Sequence, residues 1–223
     1  MSALSARDAY RRWAPDYDRE TAISALEDLT ISALGIHTDG RALLDVGCGT
    51  ARRLREVDAA VAVGVDVSIE MLGRASQSFA LIAGDVRAIP LAAGQFDVVW
   101  CRLAIGHVRE LTAAYRELAR VCRAQGTVVV TDISPAAATS GHRRVFRDAA
   151  GETHEVEHFV HSMDAHIAAA SAAGLALVER RDGLCGPSVR HFYVDAGRTS
   201  AYDEQLGKAL VLALSWRKVR ADQ

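Results

Sequence analysis

Three acids close three successive apolar runs of this chain, and each stands where a ligand could use it. Asp45 ends Ala42-Leu43-Leu44 and is followed by Val46-Gly47-Cys48-Gly49-Thr50-Ala51. Gly47 and Gly49 give such a turn permissive dihedrals and leave room for a ligand to approach the backbone. The helix expected after the turn would offer free N–H groups to an anionic or polar ligand. Asp66, at the end of Val61–Val65, can accept from both hydroxyls of a ribose. Asp85, after Phe79–Gly84, is placed to accept from an exocyclic adenine amine, with the Val86 amide donating to a ring nitrogen.

Histidines supply the acid–base candidates. His107 opens the segment after the fourth apolar run, while His158 and His161 could line a substrate pocket farther along. His154-x3-His158-x2-His161 has the spacing of a metal site, but Glu155, Val156, Phe159 and Val160 suit a strand. On a strand His154 and His158 face one way and His161 the other, so such a site would be split. No metal is expected.

These residues need a scaffold. From Ser5 to Leu34 apolar residues recur at helical spacing, interrupted by Pro15, which predicts a short helix, a corner and a longer helix. Between Arg41 and Asp132 five short apolar runs alternate with helical segments, the clearest being His107–Cys122. That alternation predicts an α/β fold, a Rossmann-like, mostly parallel sheet of seven strands with helices on both faces. Ligands of such sheets bind beyond the carboxyl ends of the strands, the edge that carries the glycines and acids.

After Ser134, Val145–His161 reads as a β-hairpin turning at Gly151, and Ser162 caps a helix that stops at Gly174. Leu175–Arg180 and Arg190–Val194 read as strands, and Tyr202–Lys218 as an apolar-striped helix. The expected division of one domain is a helical lid over 1–38, a ligand-binding core over 39–135, a hairpin insertion over 136–162 and a remainder over 163–223.

Composition narrows the function further. The 223 residues carry a formal net charge of −2, with 24% charged and 50% hydrophobic residues. With no basic excess, nucleic acid is not the expected partner. No apolar run is long enough to cross a bilayer and no signal-peptide core follows Met1, so no membrane partner is expected. Cys48, Cys101, Cys122 and Cys185 include no Cys-x-x-Cys pair and read as reduced thiols of a cytoplasmic protein.

Leu43–Thr50, Val63–Leu72, Gly84–Leu91 with Phe96–Val99, and Glu117–Arg123 before Gly126 resemble successive motifs of the class I S-adenosylmethionine (SAM)-dependent methyltransferases. The small-molecule branch that includes the ubiquinone/menaquinone-biosynthesis type is the most similar. Tyr10–Asp18 resembles that branch's N-terminal lid, and the likeness runs to about Pro135. Arg52, at the third glycine of a dinucleotide fingerprint, argues against NAD.

The resemblance implies that SAM is bound and S-adenosyl-L-homocysteine released. It implies that Gly47 and Gly49 line the methionine portion, with Asp45 near its amino group. Asp66 would hold the ribose, Val67 and Met71 pack on adenine, and Asp85 and Val86 read its edge. Cys101 would contribute backbone at the amino-acid end, and Tyr17 would close the site. Strand four leads into Cys101-Arg102-Leu103-Ala104, without the Asn/Asp-Pro-Pro-aromatic turn of nucleobase amino-methyltransferases or the metal-binding acid of catechol-type enzymes. A small-molecule acceptor is therefore expected, in a monomer or homodimer. A non-methyl-transfer reaction at the same site, or a SAM-binding module without turnover, are the alternatives.

Overall fold

The computed structural model describes residues 3–76, 78–148 and 150–219. Met1 and Ser2 of the N-terminal stretch, Ala149 of the expected hairpin turn and the final 220–223 lie outside them. Pro15 acts as expected. Helix α1 (Ala6–Trp13) runs into a 3-10 turn at Ala14–Asp16, and α2 (Ala22–Ser32) follows, its start fixed by a reciprocal Thr21–Ser24 capping box.

Next come β1 (Ala42–Val46), β2 (Val61–Asp66), the single-turn α3 (Ile69–Leu72), β3 (Ala80–Ala83) and β4 (Phe96–Arg102). Helix α4 (Leu111–Val121) leads into β5 (Cys122–Ile133). The chain continues through α5 (Pro135–Thr139), a small ladder of β6 (Val145–Arg147) with β7 (Thr153–Glu155), and α6 (Met163–Ala172). Strand β8 (Leu175–Leu184), helices α7 (Arg190–Asp195) and α8 (Thr199–Gln205), and strand β9 (Ala209–Lys218) complete it.

Seven strands form one sheet in the order β3-β2-β1-β4-β5-β9-β8. The first five run parallel, and β9 runs antiparallel to both β5 and β8. Side-chain alternation divides the core between the two faces. Leu44, Val46, Val65, Val99, Val128 and Val130 pack with Leu118 and Tyr115 of α4 and Ala170 of α6. Leu43, Val98, Trp100, Val129 and Ala213 meet Ile31 of α2 and Leu34 on the opposite face. Burying one such Leu or Val side chain contributes about 1.5–3 kcal/mol, which is why the doubly covered strands are nearly all apolar.

Four expectations fail, each for a physical reason. Arg190–Val194 is helical, within α7. Tyr202–Lys218 is a short helix followed by β9, whose run Leu210–Trp216 is buried throughout because it lies inside the sheet. A two-sided apolar run does not distinguish a buried strand from a helix by periodicity. The hairpin strands stop at Glu155, leaving His158 and His161 in the loop beyond, and the helix expected after the glycine turn is a 3-10 segment at Arg52–Glu56. Among the described residues no helix is long and apolar enough to cross a membrane.

Candidate functional site

The carboxyl ends of β1, β2 and β4 open into a cavity of about 380 Å³ under α1. Its floor is the turn after β1. Gly47 and Gly49 have φ of 77° and 57° there, and the Gly47 and Cys48 amides donate to the Val65 carbonyl at 2.7 and 3.1 Å. A Cβ on Gly47 would lie 2.4 Å from the Ala104 Cβ. The turn thus needs glycine for its dihedral and for its close approach to the segment after β4.

Asp66 organises the neighbouring wall. Its two oxygens accept from the Gly49 amide at 2.7 Å and the Ser68 amide at 2.8 Å, so one carboxylate ties β2 to the glycine turn. Burial pushes its carboxyl up, and the amides oppose that shift. Val67 and Met71 flank it, with Gly84, Asp85 and Val86 beyond. Asp85 is committed to Arg87, which donates through its amide at 2.8 Å and Nε at 2.9 Å. The acid expected to read an adenine amine therefore already holds a cation. Tyr17 and Tyr10 line the cavity from the lid.

Two of the anticipated residues lie outside the cavity wall. Cys101 is fully buried, and burial pushes its thiol up. Asp45 is also fully buried, and neither of its oxygens has a hydrogen-bond partner among the described residues. Burial pushes its carboxyl up to about 6, against the pull of Arg53 and Arg102. An orphaned carboxylate next to the glycine turn suits a ligand's ammonium group.

The candidate bases separate. His107 alone of the three lines the cavity. Its Nδ1 lies 2.8 Å from the Glu157 carbonyl, which only accepts, so Nδ1 carries the proton. Nε2 is left to accept from the Tyr10 hydroxyl at 2.9 Å. Burial and the neighbouring Arg144 cation hold His107 well below the usual imidazole range, hence neutral. His158 Nε2 meets Asp132 Oδ1 at 3.2 Å, and His161 Nε2 donates to the Val108 carbonyl at 2.8 Å in the interior. His154 pairs with Asp148 at 2.7 Å, so the three histidines of the spaced cluster go to three different partners.

Phe146 packs with Trp13, Phe159 lies beneath Arg109, and Phe192 and Tyr193 belong to the core near α2.

Several prominent groups were missed. Glu27 of α2 is fully buried, accepting from Arg102 at 2.8 and 2.7 Å, Arg53 at 3.1 Å and the Thr131 hydroxyl at 2.8 Å. Arg102 lines the cavity, so Glu27 fixes part of its wall. Arg144 donates to the Leu103 carbonyl at 2.9 Å and lies 5.9 Å from the Tyr10 ring centroid. Asp132 follows an apolar run as Asp45 and Asp66 do, and the same signal could have found it.

A parallel sheet in this order, extended by an antiparallel strand and carrying its cavity over the glycine turn, defines the class I methyltransferase fold. Residues 44–130 match the family model described as a methyltransferase domain, and this part of the chain is such a domain.

Among relatives, a malonyl-[acyl-carrier protein] O-methyltransferase of Dechloromonas aromatica is 30% identical, over 78% of this chain and 66% of its own length. A demethylmenaquinone methyltransferase of Roseiflexus sp. is also 30% identical, over 56% of this chain and 58% of its own. The chain spans between about half and two thirds of the length of the curated relatives it matches. A solved SAM-dependent methyltransferase of Mesorhizobium loti superposes with a TM-score of 0.68 at 19% identity, covering 88% of this chain and 99% of that one, which is a likeness of fold.

Proposed function

We propose that this chain binds SAM in the cavity over the glycine turn and transfers its methyl group to a small-molecule acceptor. The observation that carries the reading is the pairing of the Gly47–Gly49 cradle with the orphaned Asp45 and the strand-end Asp66, inside a matched methyltransferase domain. The residues fit the group. Asp45, buried behind the glycine turn, would attract the ammonium without lining the cavity, Asp66 would hold the ribose hydroxyls, Val67 and Met71 would pack on the base, and Val86 would read its edge.

The bound sulfonium supplies an activated methyl for in-line displacement. What the chain's own residues contribute is alignment and exclusion of water. Tyr10 and Tyr17 cover the cavity from the lid, and Glu27 immobilises Arg102 in its wall.

Asp66→Ala tests the assignment. Losing a charge-assisted pair of contacts to the ribose costs about 1.5–3 kcal/mol, roughly a ten- to hundredfold rise in the Kd for SAM. Because Asp66 also holds two backbone amides, thermal unfolding of the variant accompanies the titration. A folded Asp66→Ala protein with unchanged SAM affinity, or a wild-type chain that binds NAD in preference, overturns the reading.

A further inference from the structure

Helix α1 does not cover the cavity alone. Leu4, just before it, pairs with Val156, just after β7. The Leu4 amide donates to the Glu155 carbonyl at 2.8 Å, and the Leu4 carbonyl accepts from the Glu157 amide at 2.8 Å. Trp13, at the other end of α1, stacks on Phe146 of β6 with ring centroids 5.0 Å apart. Ala9, Phe146 and Val156, flanked by Leu4 and Trp13, form a hydrophobic cluster distinct from the larger clusters of the sheet. Two segments remote in sequence therefore share one small core.

This joint cover rests on the segment that follows β4. Arg144 donates to the Leu103 carbonyl at 2.9 Å, and the Phe159 amide to the Gly106 carbonyl at 2.7 Å. His107, in the 3-10 turn Ile105–His107, touches both halves of the cover at once. Its Nδ1 donates to the Glu157 carbonyl on the ladder side at 2.8 Å, and its Nε2 accepts from the Tyr10 hydroxyl of α1 at 2.9 Å. Both ring nitrogens are thereby occupied, which leaves no lone pair to take a proton from an acceptor.

We propose that His107 is a positioning residue, the clasp that holds α1 and the ladder down as a single cover, and that this cover lifts in one piece to exchange the cofactor. The exchange of cofactor rests on the SAM-dependent reading above, whereas the clasp stands on the contacts themselves. A cover that lifts in one piece keeps the Leu4–Val156 seam closed and breaks the contacts to the segment after β4.

Amide hydrogen exchange in the full chain separates these bonds. In His107→Phe the Phe159 amide should exchange at least about tenfold faster than in the wild type, as expected from losing two hydrogen bonds. The seam amides of Leu4 and Glu157, and the amides of β1 and β4, should stay within about twofold. His107→Asn keeps a donor where Nδ1 stands and His107→Gln an acceptor where Nε2 stands. Each should recover part of the protection, and each carries the comparison by itself. Bound S-adenosylhomocysteine should leave His107→Phe at least about fivefold faster than the wild type.

An unchanged Phe159 amide overturns the clasp, and so does an acceleration shared by β1 and β4, which marks a general loss of stability. Seam amides that accelerate together with Phe159 mean that α1 parts from the ladder, and they overturn the single cover. Unchanged release of S-adenosylhomocysteine overturns the link to cofactor exchange. A wild type that does not bind S-adenosylhomocysteine at all overturns the cofactor assignment instead, and the exchange pattern still decides the clasp.

Discussion

Gly47→Val should leave a chain that no longer binds SAM measurably, with its native state weakened by several kcal/mol. Gly47 sits at φ 77°, where a β-branched residue is strained by about 1–3 kcal/mol. Its new Cβ would fall 2.4 Å from the Ala104 Cβ, which belongs to the chain just after β4 and has no flexible end to swing away. Overpacking of this kind adds about 1–3 kcal/mol, and moving Ala104 moves the cavity wall. Gly49→Ala is the informative contrast. Its Cβ would meet the Met71 methyl at 3.0 Å and Tyr17 at 3.4 Å, both ends of side chains that can shift. Denaturant unfolding and SAM titration of the two variants should rank Gly47→Val well below Gly49→Ala. A Gly47→Val protein within threefold of wild type in affinity would place the turn's role elsewhere.

Glu27→Ala should cost about 3–5 kcal/mol, the penalty for leaving buried cations uncompensated, because Arg53 and Arg102 would both lose their shared carboxylate. The pH dependence gives a second reading of the same group. Burial alone would raise Glu27, but Arg53 and Arg102 overcome it and hold the carboxyl at about 2, against an ordinary 4.5.

A depressed carboxyl stabilises the native state above its unfolded value, and that stability disappears as pH falls from about 4.5 towards 2. The shift amounts to about 3 kcal/mol. Asp45 works in the opposite sense. With its carboxyl raised to about 6, it costs stability at neutral pH, and that cost is relieved as pH falls from 6 towards 3.8. Urea unfolding of the wild type should therefore show stability improving between pH 7 and about 4.5, levelling while the two effects oppose each other, and falling steeply below about 3.8. Glu27→Gln should lack the steep limb. A Glu27→Gln profile parallel to wild type below pH 4.5 would contradict the assignment.

The sheet and its ligand edge were legible because they rest on local patterns. Runs such as Leu43-Leu44-Asp45 and Val63-Gly64-Val65-Asp66 mark strand, end and acid within a few residues. Other features depend on what lies across the fold. Leu210–Trp216 is apolar on every side, so only its place between two strands makes it β9. Arg87 captures Asp85 from two residues away, a geometry that spacing does not specify. Glu27 and Arg102 are 75 positions apart, and nothing near either residue announces the other. The roles of His107, His158 and His161 were set by which carbonyl, hydroxyl or carboxylate each ring meets, and those partners lie in separate segments.

The position of β9 imposes an order on synthesis. Strand β8 is made first but pairs only with β9, while every residue lining the first cavity lies between Ala6 and Val108. On a growing chain the cavity walls therefore emerge long before the sheet can be closed, and β8 waits without a neighbour until Ala209–Lys218 follows it. An unpaired strand is an invitation to other chains during that interval. Leu177, Val178 and Leu184 stay exposed even in the finished protein, and between them run Glu179-Arg180-Arg181-Asp182. That charged stretch keeps the waiting edge from recruiting a stranger's strand, first in the nascent chain and then for the life of the folded one.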